Sequence, residues 1–336
     1  MKKILIIRFS SIGDIVLTTP VIRMLKQQVS ETEVHYLTKI QFAEILENNP
    51  YIDKLHLFSD NYKKTISELK NEKFDYIIDL HNSLRSVRIK LSLRVKSFTF
   101  NKLNFRKWLI VNFKINKLPK IHIVERYLKT IENFGIKNDQ KGLDYFISET
   151  DKIEKKELPE NFKNGYIVFA IGANHFTKRL PVEKIISICK EINYPIVISG
   201  GKSDQTVGEQ IKNTVGENIF NACGKFTLGQ SASLVQQADL LISHDTGLMH
   251  IGSAFGKNII SIWGNTVPDF GMYPYLAGKQ SKVIEVENLK CRPCSKIGHK
   301  KCPKKHFKCM NDIDAGEIVR NVETIIVNNL LSFRKQ

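Results

Sequence analysis

Short apolar runs alternate with longer segments of helical periodicity along most of the chain. Residues 3–8 form a first run of strand character, and a Phe-Ser-Ser-Ile-Gly-Asp loop follows it. Apolar positions then recur at helical spacing through Ile15, Leu17, Val21, Ile22 and Leu25. Residues 34–37 and 76–80 are further candidates for buried strands. Strands that alternate with helices predict a parallel sheet covered on both faces.

A second series of the same kind begins after a polar segment. Residues 138–164 are polar and residues 152–160 are dense in charge, so we place a domain boundary between residues 155 and 156. Beyond it the pattern predicts strands at 166–171, 196–199, near Ile219, 240–243 and 259–262, and helices at 181–192, 205–214, 230–238 and 246–255. The sequence thus predicts two α/β domains, residues 1–155 and 156–336.

The composition is that of a soluble globular protein, with 42% hydrophobic and 25% charged residues. The chain contains no apolar run of about 18 residues, the length that spans a bilayer. Arg8 and Asp14 interrupt the apolar start, which is unlike a signal peptide. Six cysteines in 336 residues are typical of a reducing compartment. We therefore expect a cytoplasmic chain.

The net charge of +17 is concentrated in two segments. Residues 81–130 contain thirteen basic residues and one acidic residue, Glu125. Residues 290–309 contain eight basic residues and no acidic ones. Such a distribution indicates an anionic partner.

The loop after the first predicted strand carries Ser10, Ser11, Gly13 and Asp14. In an open parallel sheet, ligands bind beyond the carboxyl ends of the strands, where helix N-termini present free N–H groups. Asp14 is therefore a candidate general base, and capping of the following helix is its alternative role.

A second loop, residues 244–250, follows a predicted strand and opens a predicted helix. Thr246 and Gly247 could donate hydrogen bonds to a diphosphate, and His250 lies one helical turn further on. A metal site at His244, Asp245 and His250 is a weaker alternative because no standard ligand spacing is present. A third alternative is that the aspartate only caps the helix and the histidine beside it is simply buried.

Two common nucleotide-binding signatures are missing. Gly201-Lys202-Ser203 resembles the end of a phosphate-binding loop, but Ile196 stands where the first glycine of that motif belongs. The chain also lacks a G-x-G-x-x-G sequence. These absences disfavour a P-loop ATPase and a standard dinucleotide oxidoreductase.

Cys291, Cys294, Cys302 and Cys309 form a C-x2-C-x7-C-x6-C pattern. Four thiolates can hold one zinc ion, which would be structural because no coordination position stays open. The second half of the pattern departs from a zinc ribbon, so reduced thiols or oxidisable pairs are the alternative.

Four fragments in this order, ILIIRFSSIGD, TKRLP, ISGGKSD and SHDTGLMHIGSA, resemble glycosyltransferase family 9, the ADP-heptose:lipopolysaccharide heptosyltransferases. The resemblance implies an α/β protein of the GT-B fold, in which two Rossmann-like, doubly wound domains face a central cleft. It implies an acceptor mainly on the N-terminal side and a nucleotide sugar on the C-terminal side. It also allows the last helix to pack back on the N-terminal domain.

The resemblance assigns roles residue by residue. Asp14 matches the catalytic base, and Ser10, Ser11 and Gly13 match its loop. Lys178 of TKRLP matches the lysine that neutralises the donor diphosphate, and its alternative is a solvated charge at the start of a helix. A fixed cation would stabilise the leaving group without a metal cofactor. The other implied donor-binding residues are Asn174, Asp204, Asp245, Thr246, Gly247 and His250.

The resemblance also implies the substrates. We expect inverting transfer of heptose, or a related sugar, from an ADP-sugar to a lipopolysaccharide core acceptor linked to lipid A. Arg85, Arg88 and Lys90 are the expected contacts to this anionic acceptor. Aromatic residues interleaved with the basic ones predict peripheral association with the inner leaflet of the inner membrane, and a solvated amphipathic helical layer is the alternative.

Two other functions remain open at this point. The same fold could carry a nucleotide-sugar epimerase or hydrolase, which would form product without an acceptor. A basic protein that binds nucleic acid or a membrane surface without catalysis is the second. We expect no nucleic-acid partner, because no recognised nucleic-acid-binding motif is present.

Overall fold

A computed structural model describes residues 1–59 and 61–333 of the chain. The chain divides into two units, the first made of residues 1–103 and 121–146, the second of residues 104–120 and the chain from 147 onward. The chain crosses between the two units after residues 103, 120 and 146, and the boundary expected at 155–156 lies near the last of these crossings. The assignment of acceptor and donor roles to two domains stays a prediction.

The first unit is built on a five-stranded sheet, whose strands are all parallel. Along the sheet the order is β3-β2-β1-β4-β5. Residues 4–7 of the central strand are completely buried, as expected for a parallel strand covered on both faces. The strands are β1 (Lys2–Ile7), β2 (Thr32–Lys39), β3 (Lys54–Phe58), β4 (Tyr76–Asp79) and β5 (Lys96–Thr99).

Helices connect these strands. The single helix predicted after β1 is divided in two. Leu17 caps the end of the first segment, Thr18 precedes the second, and Pro20 lies in the first turn of the second, where a missing N–H costs nothing. A short 3-10 helix, Ile40–Ile45, follows β2. The helices of this unit are α1 (Ile12–Val16), α2 (Thr19–Gln28), α3 (Tyr62–Asn71), α4 (Leu84–Leu93) and α6 (Ile123–Leu128), whereas α5 (Asn104–Phe113) belongs to the second unit.

The second unit is built on a six-stranded parallel sheet of order β11-β10-β9-β6-β7-β8. Its strand order reverses between β6 and β9, the place where doubly wound sheets bind ligands. The strands are β6 (Ile167–Ala170), β7 (Ile196–Ser199), β8 (Ile219–Asn221), β9 (Leu240–His244), β10 (Ile259–Trp263) and β11 (Lys282–Glu285).

Apolar layers cover both faces of this sheet. Ile318, Val322 and Ile325 recur at helical spacing and bury one face of the last helix in the core of this unit. The helices are α7 (Val182–Glu191), α8 (Gln205–Val215), α9 (Leu228–Gln237), α10 (Gly247–Ala254), α11 (Lys308–Asn311) and α12 (Ala315–Phe333). The predicted α/β class with two Rossmann-like sheets is confirmed.

Among the described residues, no helix is both long enough and apolar enough to cross a membrane.

Candidate functional site

Asp14 lies at the carboxyl edge of the first sheet, in the first turn of α1. Its Oδ2 accepts hydrogen bonds from the Ser11 hydroxyl at 2.7 Å and from the Ser11 backbone N–H at 3.3 Å. Its Oδ1 lies 2.6 Å from the Arg8 guanidinium, and the side chain remains 22% exposed. Asp14 therefore caps its helix and at the same time presents a fixed carboxylate to solvent.

Arg8, which follows β1 directly, anchors this loop. Its guanidinium is almost buried and donates to the carbonyl oxygens of Ser10 at 2.7 Å and Leu80 at 2.6 Å, and to the Tyr127 hydroxyl at 3.1 Å. Burial alone would lower the pKa of Arg8, but the neighbouring Asp14 carboxylate raises it above its ordinary value. Arg8 was not identified from the sequence, although its position directly after a buried strand is a signal of a site residue.

The end of β4 adds polar groups beside this loop. The buried Asp79 carboxylate accepts from the backbone N–H groups of His81 and Asn82 at 3.0 and 2.7 Å. His81 packs against Phe9 with ring centroids 4.9 Å apart, and burial, together with the charge of Arg8, lowers its pKa to about 4. The imidazole is thus neutral near pH 7. His81 was not singled out from the sequence.

The three basic residues expected to contact the acceptor differ in their surroundings. Arg85 is exposed and its guanidinium lies over the rings of Phe9 and Phe58, 5.7 and 5.2 Å from their centroids. Arg88 is exposed and lies over Tyr62. Lys90 instead pairs with Asp79 at 2.9 Å and donates to Thr99, and its side chain is 15% exposed.

In the second unit, Lys178 and Asp245 meet at the carboxyl edge of the sheet. The Lys178 ammonium lies 2.5 Å from Asp245 Oδ2 and donates to the Asp245 carbonyl oxygen at 3.0 Å. Thr266 also donates to Asp245 Oδ2, at 2.9 Å. The side chains of Lys178 and Asp245 are 16% and 10% exposed. Two of the residues that the resemblance assigned to the donor, Lys178 and Asp245, are therefore brought together.

Asp204 is buried in the loop that follows β7. Its Oδ1 pairs with Arg179 at 2.9 Å and its Oδ2 accepts from the Gly201 N–H at 2.9 Å. Gly172 leaves room for this carboxylate, because a Cβ there would lie 2.5 Å from Asp204 Oδ2. These contacts give Asp204 a role in holding the loop. Its contact to the ribose stays a prediction. Arg179 was not identified from the sequence.

Three of the remaining predicted donor residues, Thr246, Gly247 and His250, belong to α10 or directly precede it. Thr246 is the residue before the first turn and Gly247 is its first residue, and both are partly exposed. The helix therefore presents backbone N–H donors at an accessible end. Asn174 is exposed after β6. His250 is only 2% exposed within the helix.

His244, the last residue of β9, is completely buried. Its Nε2 accepts a hydrogen bond at 3.0 Å from the backbone N–H of Leu180, which lies two residues after Lys178. Burial, and after it the charges of Arg179 and Lys178, lowers the pKa of His244 to about 3. The imidazole therefore stays neutral and connects the Lys178 loop to the strand.

The cysteine pattern forms a loop, residues 291–309, that bonds to the segment preceding Lys178. Arg292 donates to the carbonyl oxygens of Gly264, Val286 and Thr266. Thr177 and His299 exchange hydrogen bonds of 3.2 Å and 2.8 Å. The cysteine loop thus forms part of the support of Lys178.

The four thiols of the cysteine loop act on one another electrostatically. Burial, and after it neighbouring Cys294, raises the pKa of Cys309 to about 12, and Cys302 and Cys291 add to this effect. The Cys291 sulfur lies 3.8 Å from His306 Nε2. A metal at these thiols stays a prediction.

A model of glycosyltransferase family 9 (heptosyltransferase) matches residues 62–306. The chain is 28% identical over 291 residues to lipopolysaccharide heptosyltransferase 1 of Campylobacter coli, covering 79% of this chain and 84% of the relative. The chain therefore belongs to glycosyltransferase family 9 and is a glycosyltransferase. This result confirms the predicted family, and it contradicts a non-enzymatic binding protein and an epimerase or hydrolase.

Solved structures show the same fold. The family 9 glycosyl transferase from Veillonella parvula superposes with a TM-score of 0.76 at 22% identity, covering 97% of this chain and 98% of that one. The ADP-heptose lipopolysaccharide heptosyltransferase II of E. coli gives a TM-score of 0.72 at 18% identity, covering 98% and 99%. The predicted GT-B fold is confirmed.

The low pKa of His244 predicts an acid-sensitive contribution to stability. Below pH 6.5 the unfolded chain gains a proton on this residue that the native chain does not, so the free energy of unfolding falls as the pH falls toward 3. We expect the free energy of unfolding of His244→Gln to lack this pH-dependent decrease, which amounts to about 2 kcal/mol between pH 6.5 and 5. Urea unfolding at several pH values measures it.

The His306→Gln variant, which removes an exposed histidine, serves as the matched control for the loss of an imidazole. An unchanged slope in His244→Gln would show that His244 is protonated in the native protein.

Proposed function

We propose that the protein transfers heptose, with inversion, from ADP-heptose to a lipopolysaccharide core acceptor. The observation that carries the proposal is the fixed, solvent-accessible Asp14 carboxylate at the carboxyl edge of a sheet in a family 9 chain. The family relatives named for lipopolysaccharide heptose transfer, and the E. coli protein named for ADP-heptose, support the choice of substrates.

Asp14 would act as the general base. The acceptor hydroxyl oxygen attacks the anomeric carbon and its proton passes to the Asp14 carboxylate. The bond from that carbon to the diphosphate oxygen breaks, and its electron pair remains on ADP. Arg8 and Ser11 fix the carboxylate in one orientation, which keeps the base in place before the acceptor arrives.

Lys178 would neutralise the departing diphosphate, with Asp245 as its partner before the donor binds. Its 2.5 Å contact to Asp245 holds the ammonium in place. A diphosphate could take over this ammonium and accept from the backbone N–H groups of Thr246 and Gly247 at the start of α10. A fixed lysine and helix donors supply the stabilisation that a metal cofactor would otherwise provide.

Asp14→Asn tests the base. The amide keeps the size of the side chain but cannot accept the acceptor proton, so we expect kcat to fall by about 100- to 10,000-fold with donor affinity nearly unchanged. Heptose transfer to a lipopolysaccharide core acceptor, followed by mass spectrometry, measures it. Asp75→Asn, an exposed aspartate of the same unit, is the control, and wild-type rates in Asp14→Asn would disprove the assignment.

Lys178→Gln tests the donor site. Loss of a charge-assisted hydrogen bond is expected to weaken ADP binding by about 10- to 100-fold, because such bonds contribute about 1.5–3 kcal/mol. Calorimetry with ADP, UDP, GDP and dTDP, each with and without EDTA, measures nucleotide preference and metal dependence together. Lys190→Gln, an exposed lysine of the same unit, should bind like wild type.

We expect ADP to bind most tightly and EDTA to have no effect. Preference for UDP or dTDP would replace the proposed donor, and loss of binding in EDTA would refute the metal-free mechanism.

The anionic acceptor would bind beside Asp14. Arg85 is suited to this role because it is exposed and packs against Phe9 of the same loop. Arg88 lies one turn away on α4, where Leu84 and Leu91 are 87% and 71% exposed, as a lipid-linked ligand would favour. Lys90 fits less well, since its ammonium neutralises the buried Asp79.

The second unit carries an exposed aromatic patch, defined here as Phe105, Trp108, Phe113 and Ile115. The rings of Phe105 and Trp108 stack at 6.0 Å, and those of Trp108 and Phe113 meet at 5.1 Å. Their exposed fractions run from 44% to 69%. Exposed lysines at 117 and 120 flank the patch. We propose that the patch docks the enzyme on the anionic cytoplasmic face of the inner membrane.

Vesicle sedimentation tests this docking. With vesicles of phosphatidylethanolamine and phosphatidylglycerol, we expect the double variant Trp108→Ala, Phe113→Ala to lose about tenfold in partition coefficient, since each ring loses apolar burial. Val327→Ala with Leu330→Ala, which removes exposed apolar groups from α12, is the control. Equal partitioning of both double variants and wild type would contradict the proposal.

A structural zinc ion in the cysteine loop remains part of the proposal. Its support is the C-x2-C-x7-C-x6-C pattern and the bonds between this loop and Thr177. Zinc bound there would hold the segment that positions Lys178, without taking part in the reaction.

A further inference from the structure

Two histidines and a glutamate meet inside the first unit, away from Asp14. One ligand atom from each of His35, His56 and Glu72 lies within 4.8 Å of the other two. His35 Nδ1 is 2.8 Å from His56 Nε2 and 4.0 Å from Glu72 Oε2. The two histidines are 0% and 9% exposed. Among the described residues this is the one set of three such groups that meets this distance limit.

The fold places these residues together through strand register. His35 of β2 aligns with Lys54, and His56 of β3 aligns with Leu37, so both imidazoles lie on one face of the sheet. Glu72 follows α3, which packs on that face. Because Glu72 precedes β4, the group lies toward the amino-terminal edge of the sheet, the edge opposite the Asp14 loop.

The neighbouring residues orient the three side chains as ligands. The Glu33 carboxylate lies 2.7 Å from His35 Nε2 and accepts a hydrogen bond from the N–H there, which leaves the lone pair on Nδ1 directed at the group. Lys54 holds Glu72 Oε1 at 2.5 Å, and Oε2 faces the imidazoles. Lys3 lies between Glu33 and Glu72 and balances part of their charge. A carboxylate behind a histidine is the usual support of a zinc ligand.

We propose that His35 Nδ1, His56 Nε2 and Glu72 Oε2 bind a divalent transition-metal ion of the zinc type. Two imidazoles with one carboxylate suit zinc and disfavour magnesium and calcium, which prefer oxygen ligands alone. The His56 proton that now bridges the two rings moves to Nδ1 of the same ring when the metal enters. A tetrahedral ion at about 2.0–2.1 Å from each nitrogen needs only a small separation of the two rings.

The position of the site indicates a structural role. It joins the edge strand β3 to the end of α3 through groups that otherwise belong to separate elements. It lies at the far edge of the sheet from the proposed base, so metal binding there would stabilise the first unit without entering the transfer reaction. This inference does not depend on the proposed function.

Zinc titration against a chromophoric chelator tests the site in the full-length protein. We expect His56→Gln and Glu72→Gln each to bind one zinc equivalent fewer than wild type, or to bind it at least tenfold more weakly. The zinc-dependent rise in the thermal midpoint should also disappear in both variants. Glu68→Gln, an exposed glutamate on α3, is the matched control for Glu72→Gln.

Cobalt substitution distinguishes this site from the cysteine loop. Thiolate-to-cobalt charge-transfer bands belong to the cysteines, and they should persist in His56→Gln and disappear in Cys302→Ser. Should His56→Gln fail to fold, the half-buried Glu72→Gln variant decides alone. Equal zinc stoichiometry and affinity in wild type and both variants, or no zinc at histidine in the wild type, would overturn the proposal.

Discussion

Parallel strands that are covered on both faces leave few places where polar groups can act. Residues 4–7 of β1 and the whole of β9 are buried, so none of their side chains is presented to solvent. The chain can expose chemistry only beyond the carboxyl ends, where it turns into a helix. Asp14 follows β1 and Asp245 follows β9, and this common position explains why the candidate site of each unit is a short loop.

Each of these loops is held by a cation that the protein itself partly buries. A buried charge without a partner is strongly destabilising, so Arg8, Lys178 and Arg179 each require a carboxylate close by. Asp14, Asp245 and Asp204 meet that requirement at 2.6, 2.5 and 2.9 Å. The same electrostatic need thus orders the loop in the absence of substrate. A substrate group of matching charge can then exchange for one member of the pair.

The sequence predicted the strands well where their burial is continuous. The strand expected at 196–199 agrees with β7, because all four of its residues are buried. The helix expected at 181–192 agrees with α7, whose buried residues Ile185, Ile188 and Cys189 recur at helical spacing. Short exposed strands such as β5 and β11 were missed, since three of the four residues of β5 and two of the four residues of β11 are exposed. Asp14 and Lys178 followed from motif order. Arg8, Arg179 and the His35 group depend on contacts between distant segments, which periodicity does not reveal.

The division of the chain between the units bears on how the protein can be dissected. The chain passes between them after residues 103, 120 and 146, so no single cut yields two complete pieces. A fragment ending at residue 103 would lack α6, which packs on α2, whereas one ending at 146 would carry α5 without the cysteine loop to which Lys114 donates. An independently folding first half therefore requires a redesigned connection from residue 103 to residue 121.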